Sequence, residues 1–162
     1  MKNNKSLLIL LDKVFEDCNS DPRVYRTASY FIRQNFKVKL LCFKDKALNE
    51  KDFTDGIEIH RIIPIEISRP RHQFKITKKI DKKIISEHDF DVVISNDHMM
   101  LNILCEIQKY SPSKTYIHDS HEFFQDYRLN FNSTQKFLFK IKSKIWRKFE
   151  IYKEKKNAKK VD

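Results

Sequence analysis

The 162-residue sequence predicts an α/β fold, a doubly wound and mostly parallel sheet with helices on both faces. Two observations predict it. Short apolar runs typical of buried strands alternate with longer segments whose apolar residues recur at helical spacing. This alternation continues along the chain without an internal repeat, and 40% of the residues are apolar, which is enough for a core. The length suits one domain of this kind rather than two, so we expect residues 1–162 to form a single Rossmann-like domain.

Five strands are predicted, and the third is preceded by the tight-turn signal Asp55-Gly56. The strands are Ser6–Leu11, Lys37–Phe43, Ile57–Ile63, Asp91–Ser95 and Lys114–His118. Between and around them, we expect Lys44–Thr54, Ile67–His72 and the last few residues to be the least ordered parts of the chain.

The first predicted helix carries start and stop signals. Asp21 is a typical N-cap, Pro22 suits the first helical position, and Asn35 suits the left-handed position that ends a helix. Further helices are predicted over Gln73–Glu87, Met99–Lys109 and about Ser133–Asn157. Asn96 or Asp97 would cap the second of these.

Composition excludes several classes of protein. The single glycine, Gly56, excludes a P-loop and a G-x-G-x-x-G loop, because both need glycines where the backbone approaches phosphate. The three cysteines lack metal or redox spacing, so we expect no metal site and a reducing, cytoplasmic setting. The run Leu7–Leu11 is too short for a signal peptide or a membrane span. The net charge of +11 suggests an anionic partner: a membrane surface, nucleic acid or a phosphorylated substrate.

Polar clusters follow three of the predicted strands. Ligands of doubly wound sheets bind beyond the carboxyl ends of the strands, at the point where the strand order reverses. If the first, fourth and fifth strands lie side by side, these clusters converge on one crevice, where they could hydrogen-bond hydroxyls and phosphates. The candidates there are Asp21, Arg23, Asn96, Asp97, His98, Asp119, His121 and Glu122.

Four segments, taken in order, resemble the N-terminal domain of family-4 glycosyltransferases of the GT-B fold. Asp21–Arg26 resembles the D-P-R-V-x-R entry to the family's first helix, and Phe90–Asp97 resembles its D-V-V-x-x-x-D strand and loop. Tyr116–Phe123 resembles its V-Y-D-A-H-E segment, which is the most specific of the four matches. Trp146–Glu150 resembles the family's W-x-x-x-E helix.

The resemblance implies an enzyme of two Rossmann-like halves with the active site between them. The C-terminal half would bind the nucleotide-sugar donor, and the N-terminal half would bind a glycan or lipid-linked acceptor, as in the synthesis of a cell-envelope polysaccharide. The family's N-terminal histidine near the transferred sugar matches His121, which is the catalytic candidate; the other strand-end residues are acceptor-binding candidates. The chain departs from the family in having no glycine after the first strand, and we expect the donor half to be absent from it. We therefore expect no cofactor in this chain, no turnover by it alone, and a C-terminal half as partner.

Simpler roles are open for these residues. His121 could cap a strand or hydrogen-bond Asp119, and Asp97 and His98 could cap the helix that follows them. Arg23 suits an anionic acceptor or a solvated helix face equally. Other functions are a basic nucleic-acid-binding module, which lacks any known signature here, and a receiver- or flavodoxin-like ligand-binding domain. We expect no nucleic-acid partner.

The C-terminal segment is strongly basic. From Ser133 to Asp162 there are eleven Lys or Arg residues and three acids. Apolar residues at three- and four-residue steps predict an amphipathic helix, which would lie on the inner face of an anionic membrane through Lys140, Lys144, Arg147 and Lys148. The alternative is that the apolar stripe packs on the sheet and the lysines are only solvated.

Overall fold

The computed structural model describes residues 5–64, 90–96, 98–112 and 114–119, and six single positions between 148 and 159. Within the four continuous ranges the chain forms six strands and two helices. In chain order they are β1 (Ser6–Val14), α1 (Pro22–Arg33), β2 (Lys37–Lys44), β3 (Lys51–Thr54), β4 (Ile57–Pro64), β5 (Val92–Asn96), α2 (His98–Tyr110) and β6 (Thr115–Asp119).

The strands form one sheet in the order β3-β4-β2-β1-β5-β6, and only β3 pairs antiparallel with its neighbour. From β1 the chain first adds strands on one side, β2 and then β4. It later returns to the other side, where β5 pairs with β1 and β6 pairs with β5. The strand order therefore reverses between β1 and β5. This confirms the predicted doubly wound, mostly parallel sheet.

The two faces of the sheet are covered by different helices. Leu7, Ile9 and Leu11 of β1 are buried in a core cluster that includes Val24 and Ala28 of α1. The alternate residues of β1, Leu8 and Leu10, are buried in a second cluster with α2 side chains such as Leu104. Successive strand residues point to opposite faces, so the buried β1 strand separates the two clusters. We call these the α1 face and the α2 face.

The local signals in the sequence act as predicted. The Asp21 carboxylate accepts a hydrogen bond from the Val24 amide at 3.1 Å, and Pro22 opens α1. Asn35 has the left-handed φ of 62° after the end of α1. At the turn between β3 and β4, Asp55 and Gly56 have φ of 49° and 84°, as the tight turns of hairpins require.

Beside shifts of one residue at the ends of β2, β4, β5 and β6, two larger differences separate the structure from the sequence prediction. β1 runs past Leu11 to Val14, with a break in its register against β2 between Leu10 and Val14. Lys51–Thr54, expected to be poorly ordered, forms β3, because the Asp55-Gly56 turn folds it back along β4. The predicted helix at 73–87 and the segment at 67–72 lie outside the described residues. Of the predicted C-terminal helix, the described positions Lys148, Ile151, Tyr152, Lys155 and Lys156 are helical.

Candidate functional site

The carboxyl ends of β1, β5 and β6 lie side by side. This is the strand order on which the predicted convergence of the three polar clusters depends. Ser95 of β5 is in register with Leu10 of β1 and with His118 of β6. The carboxyl ends of these strands therefore lie at one edge of the sheet, beside the point where the strand order reverses. We call this region the switch-point edge: the ends of β1, β5 and β6, the connection of residues 15–21, and the first turn of α1.

The connection between β1 and α1 takes its shape from its own short polar side chains. The Ser20 hydroxyl accepts hydrogen bonds from the amides of Glu16 at 3.1 Å and Asp17 at 3.2 Å. The Asp17 carboxylate accepts from the amides of Asn19 at 2.9 Å and Ser20 at 3.1 Å. These bonds, that from Asn19 foremost, lower the pKa of Asp17, which stays ionised. Side chains of this type can shape a tight connection where related folds use glycine.

A buried arginine of β4 donates a hydrogen bond to the backbone at the start of this connection. Arg61 of β4 is 1% exposed, and its Nε donates to the carbonyl oxygen of Phe15 at 2.8 Å. Its Nη1 donates to the Asn49 carbonyl and to the Asp52 carboxylate, each at 3.2 Å. Arg61 is not among the predicted site residues. The signal was present, because period-two alternation puts Arg61 on the same face as the buried Ile57 and Ile59.

The amino end of α1 is capped by the carboxylate of Asp21. Asp21 is 5% exposed, accepts from the Val24 amide, and has its second oxygen 3.7 Å from Lys13 Nζ. A helix amino end normally attracts anions through free amides and the helix dipole. Here a negative side chain already lies in that position, so this end of α1 is not an open phosphate site.

Three predicted residues come together between α1 and β6. Arg23 Nη1 lies 3.5 Å from Asp119 Oδ2, and the side chains are 22% and 44% exposed. Asn96 is in register with Asp119 on the neighbouring strand and is 3% exposed. Asn96 and Asp119 alternate with Ser95 and His118, so they lie on the α1 face. A guanidinium, a carboxylate and a carboxamide thus share one corner of the switch-point edge.

The alternate residues of the same strand ends form a separate pair on the α2 face. Ser95 Oγ and His118 Nδ1 are 2.8 Å apart, and Ser95 is fully buried. The polar residues at the ends of β5 and β6 are therefore split between the two faces of the sheet. Among the described residues, the α1-face group combines one helix residue, Arg23, with residues of both strands.

The other candidates are less fully described. His98 is the first residue of α2, and Lys148 is helical and exposed. Asp97, His121, Glu122, Lys140, Lys144 and Arg147 lie outside the described residues. Within the part of the chain that the structure describes, no three His, Cys, Asp or Glu side chains are grouped to hold a metal ion. No described helix is long and apolar enough to cross a membrane.

Solved structures share this fold. A chain of sucrose-phosphate synthase from Thermosynechococcus elongatus superposes with a TM-score of 0.59 and 10% sequence identity, covering 86% of this chain and 39% of its own length. The chain therefore shares the Rossmann-like α/β fold of a part of this synthase. A second structure of sucrose-phosphate synthase from the same organism gives a TM-score of 0.56 at 8% identity, covering 73% of this chain and 64% of its own. No protein-family model and no curated protein sequence matches the chain.

Proposed function

We propose that this chain is the N-terminal, acceptor-binding half of a family-4 GT-B glycosyltransferase. The complete enzyme would transfer a sugar from a nucleotide-sugar to a glycan or a lipid-linked acceptor. The observation that carries the proposal is the group formed by Arg23, Asp119 and Asn96 at the switch-point edge. In doubly wound sheets this is where ligands bind, and these three side chains can both donate and accept hydrogen bonds.

The glycosyltransferase-like fold and the four sequence segments support the same conclusion independently. Two of those segments supply the grouped residues: Arg23 comes from the D-P-R-V segment, and Asp119 comes from the D-x-H-E segment. Residues that are distant in sequence and were selected by separate motifs are in contact in the structure. His121 and Glu122 lie two and three residues after Asp119 in the chain, and in the proposed enzyme His121 contacts the transferred sugar.

The donor would belong to a C-terminal half, in the same chain or in another. The described residues contain no glycine-rich phosphate loop, and the amino end of α1 is closed by Asp21. A nucleotide-sugar carries a diphosphate, which needs exposed amides or unpaired cations. In the proposed division of roles, this chain binds the acceptor, and the C-terminal half binds the diphosphate of the donor.

Calorimetric titration of the chain with UDP-glucose, UDP-N-acetylglucosamine and GDP-mannose tests this division of roles. We expect dissociation constants weaker than about 1 mM, which corresponds to roughly 4 kcal/mol of binding free energy. The chain should also transfer no sugar on its own. Micromolar binding of any of these donors would show that this half grips the nucleotide-sugar, and it would contradict the proposal.

A further inference from the structure

Arg61 of β4 bonds two separate connections of the chain. Its Nε donates to the carbonyl oxygen of Phe15 at 2.8 Å, at the start of the connection into α1. Its Nη1 donates to the carbonyl of Asn49 and to the carboxylate of Asp52, each at 3.2 Å. Its own backbone amide donates to the Glu50 carbonyl at 2.7 Å. One residue therefore bonds both the switch-point edge and the connection between β2 and β3.

The Phe15 peptide is held from two neighbouring strands. Cys42 of β2 is in register with Arg61, so the two side chains share the α1 face. The Cys42 thiol makes a hydrogen bond with the Phe15 backbone, and Arg61 binds the Phe15 carbonyl. The register of β4 against β2 shifts directly after this pair, and that of β1 against β2 shifts between Leu10 and Val14. The position of Phe15 is therefore set by β2 and β4 as well as by β1.

The guanidinium of Arg61 is a rigid plane, so the bonds on its two sides depend on each other. Nε and Nη1 belong to the same planar group. A movement of Asn49 or Asp52 turns this plane and changes the direction in which Nε points at Phe15. Arg61 is 1% exposed, so water does not replace a bond that is lost. A change at one connection is therefore transmitted to the other.

The residues after Phe15 carry its position to the first turn of α1. The amides of Glu16 and Asp17 donate to the Ser20 hydroxyl at 3.1 and 3.2 Å, and Asp21 follows as the N-cap of α1. These short-range bonds give the connection its own shape. The bonds at Phe15 tie that shape to the sheet.

We infer that Arg61 is a positioning residue that couples the β3 side of the sheet to the switch-point edge. The bonds to Asn49 and Asp52 orient its guanidinium, and the bond to Phe15 sets the start of the connection into α1. A change in β3, or in the connection before it, therefore moves the backbone after Phe15. In the proposed enzyme this adjusts the acceptor site; that consequence rests on the proposed function, whereas the coupling itself does not.

A matched pair of variants separates this coupling from other effects of a substitution near β3. Asp52→Ala removes one acceptor of Arg61. Asp45→Ala makes the same change in charge and volume in the connection between β2 and β3. Each carboxylate also accepts one local backbone amide, Asp52 from Phe53 at 2.9 Å and Asp45 from Ala47 at 3.2 Å. The two variants therefore differ in the bond to Arg61.

Nuclear magnetic resonance of the ¹⁵N-labelled chain provides the measurement. We expect Asp52→Ala to shift the amide resonances of Glu16 and Asp17, and Asp45→Ala to leave them in place. Chemical shifts report the geometry of the folded state, so a general loss of stability does not produce this result.

A third variant tests whether the coupling passes through the guanidinium. Arg61→Lys keeps the positive charge but replaces the planar fork with a single ammonium, which does not hold both connections in one fixed geometry. In this background, Asp52→Ala should no longer shift the resonances of Glu16 and Asp17. If the Arg61→Lys chain does not fold, the comparison of Asp52→Ala with Asp45→Ala decides alone.

The outcomes bear on the coupling and not on the acceptor role. Unchanged resonances at Glu16 and Asp17 in Asp52→Ala, or equal shifts in Asp52→Ala and Asp45→Ala, would overturn the inference. Shifts that persist in the Arg61→Lys background would also overturn it, because the coupling would then bypass the guanidinium. The titration with nucleotide-sugars tests the proposed function separately.

Discussion

Arg61 shows how one side chain links distant parts of this chain. Its guanidinium is buried, and a buried charge is stable only when it is paired and hydrogen-bonded. It meets that condition by donating to the carbonyl of Phe15, the first residue of the connection into α1, and to Asn49 and Asp52 around β3. Arg61 therefore joins β4, the β3 edge and the connection that ends at Asp21.

Replacing Arg61 with methionine should lower the free energy of unfolding by about 3 kcal/mol. The variant loses all three hydrogen bonds and leaves the carbonyls of Phe15 and Asn49 without this donor. Urea denaturation followed by circular dichroism measures the change. Arg33→Met, at the exposed end of α1, is the matched control and should change stability by less than about 0.5 kcal/mol. An equally small change for Arg61→Met would mean that its bonds contribute little.

Cys42 makes the stability of the fold sensitive to alkaline pH. Burial raises the pKa of its thiol from 9.0 to about 11, against the opposing effects of a hydrogen bond to the Phe15 backbone and of the Arg61 charge. Between these values the unfolded chain loses the proton while the folded chain keeps it. The unfolded state then binds fewer protons, so stability that is present below pH 9.0 is lost as the pH rises to about 11.

Cys42→Val should therefore flatten the alkaline part of the stability profile. We expect the loss of unfolding free energy between about pH 8 and 10.5 to be about 2 kcal/mol smaller in the variant than in the parent chain. Cys18→Ala, at a partly exposed cysteine, controls for general alkaline effects and should leave the profile unchanged. Parallel profiles for Cys42→Val and the parent would contradict the role given to this thiol.

At the scale of the elements, the sequence predicts those helix and strand boundaries that depend only on residues close together in the chain. The boundaries of α1 follow from Asp21, Pro22 and Asn35, whose roles depend only on the adjacent backbone. β3 was missed because its side chains do not alternate: Lys51, Asp52 and Phe53 are all exposed, so it has no buried face. Its pairing depends on the turn that follows it and on β4, neither of which its own four residues encode.

The candidate site was predictable to the extent that strand order was predictable. The strand-end rule selected Arg23, Asn96 and Asp119, and the parallel register of β5 and β6 places Asn96 beside Asp119. The pairing of Arg23 with Asp119 depends on how α1 packs across the sheet, which no local pattern specifies. The same holds for Arg61, whose partner Phe15 is 46 residues away in sequence.

The basic C-terminal segment gives a prediction at the scale of one element. Lys148 is helical and exposed, as a membrane-facing lysine would be. We expect the chain to co-sediment with phosphatidylglycerol vesicles, gaining about 1 kcal/mol for each well-placed cation, and to stay in solution with neutral lipid or at high salt. Charge reversal at Lys140, Lys144 and Lys148 should abolish the binding.

The matched control for the vesicle experiment reverses three lysines elsewhere. Lys37, Lys46 and Lys51 are exposed at the β2–β3 side of the sheet, and their reversal changes the net charge by the same amount. Equal loss of binding in both triple variants would mean that the total charge, rather than the C-terminal segment, attracts the lipid. Equal recovery of the parent chain with and without anionic vesicles would end the proposal of a membrane-surface helix.

At the scale of the whole molecule, charge is distributed unevenly along the chain. The net charge is +11, whereas the switch-point edge carries more acids than bases. The basic C-terminal segment suits an anionic membrane. The chain spans 39% of the first synthase chain that shares its fold. The proposed acceptor-binding half, acting near a membrane, is compatible with this distribution of charge.

The most direct test of the acceptor-half assignment is the turnover of His121→Ala in an enzyme that combines this chain with a donor half. His121 follows β6 and is proposed to contact the transferred sugar, so its loss should lower kcat about ten- to a thousand-fold. The unfolding midpoint of the variant, measured in parallel, should stay close to that of the parent, because the role proposed for His121 is in sugar transfer. Turnover equal to that of the parent enzyme would contradict the assignment.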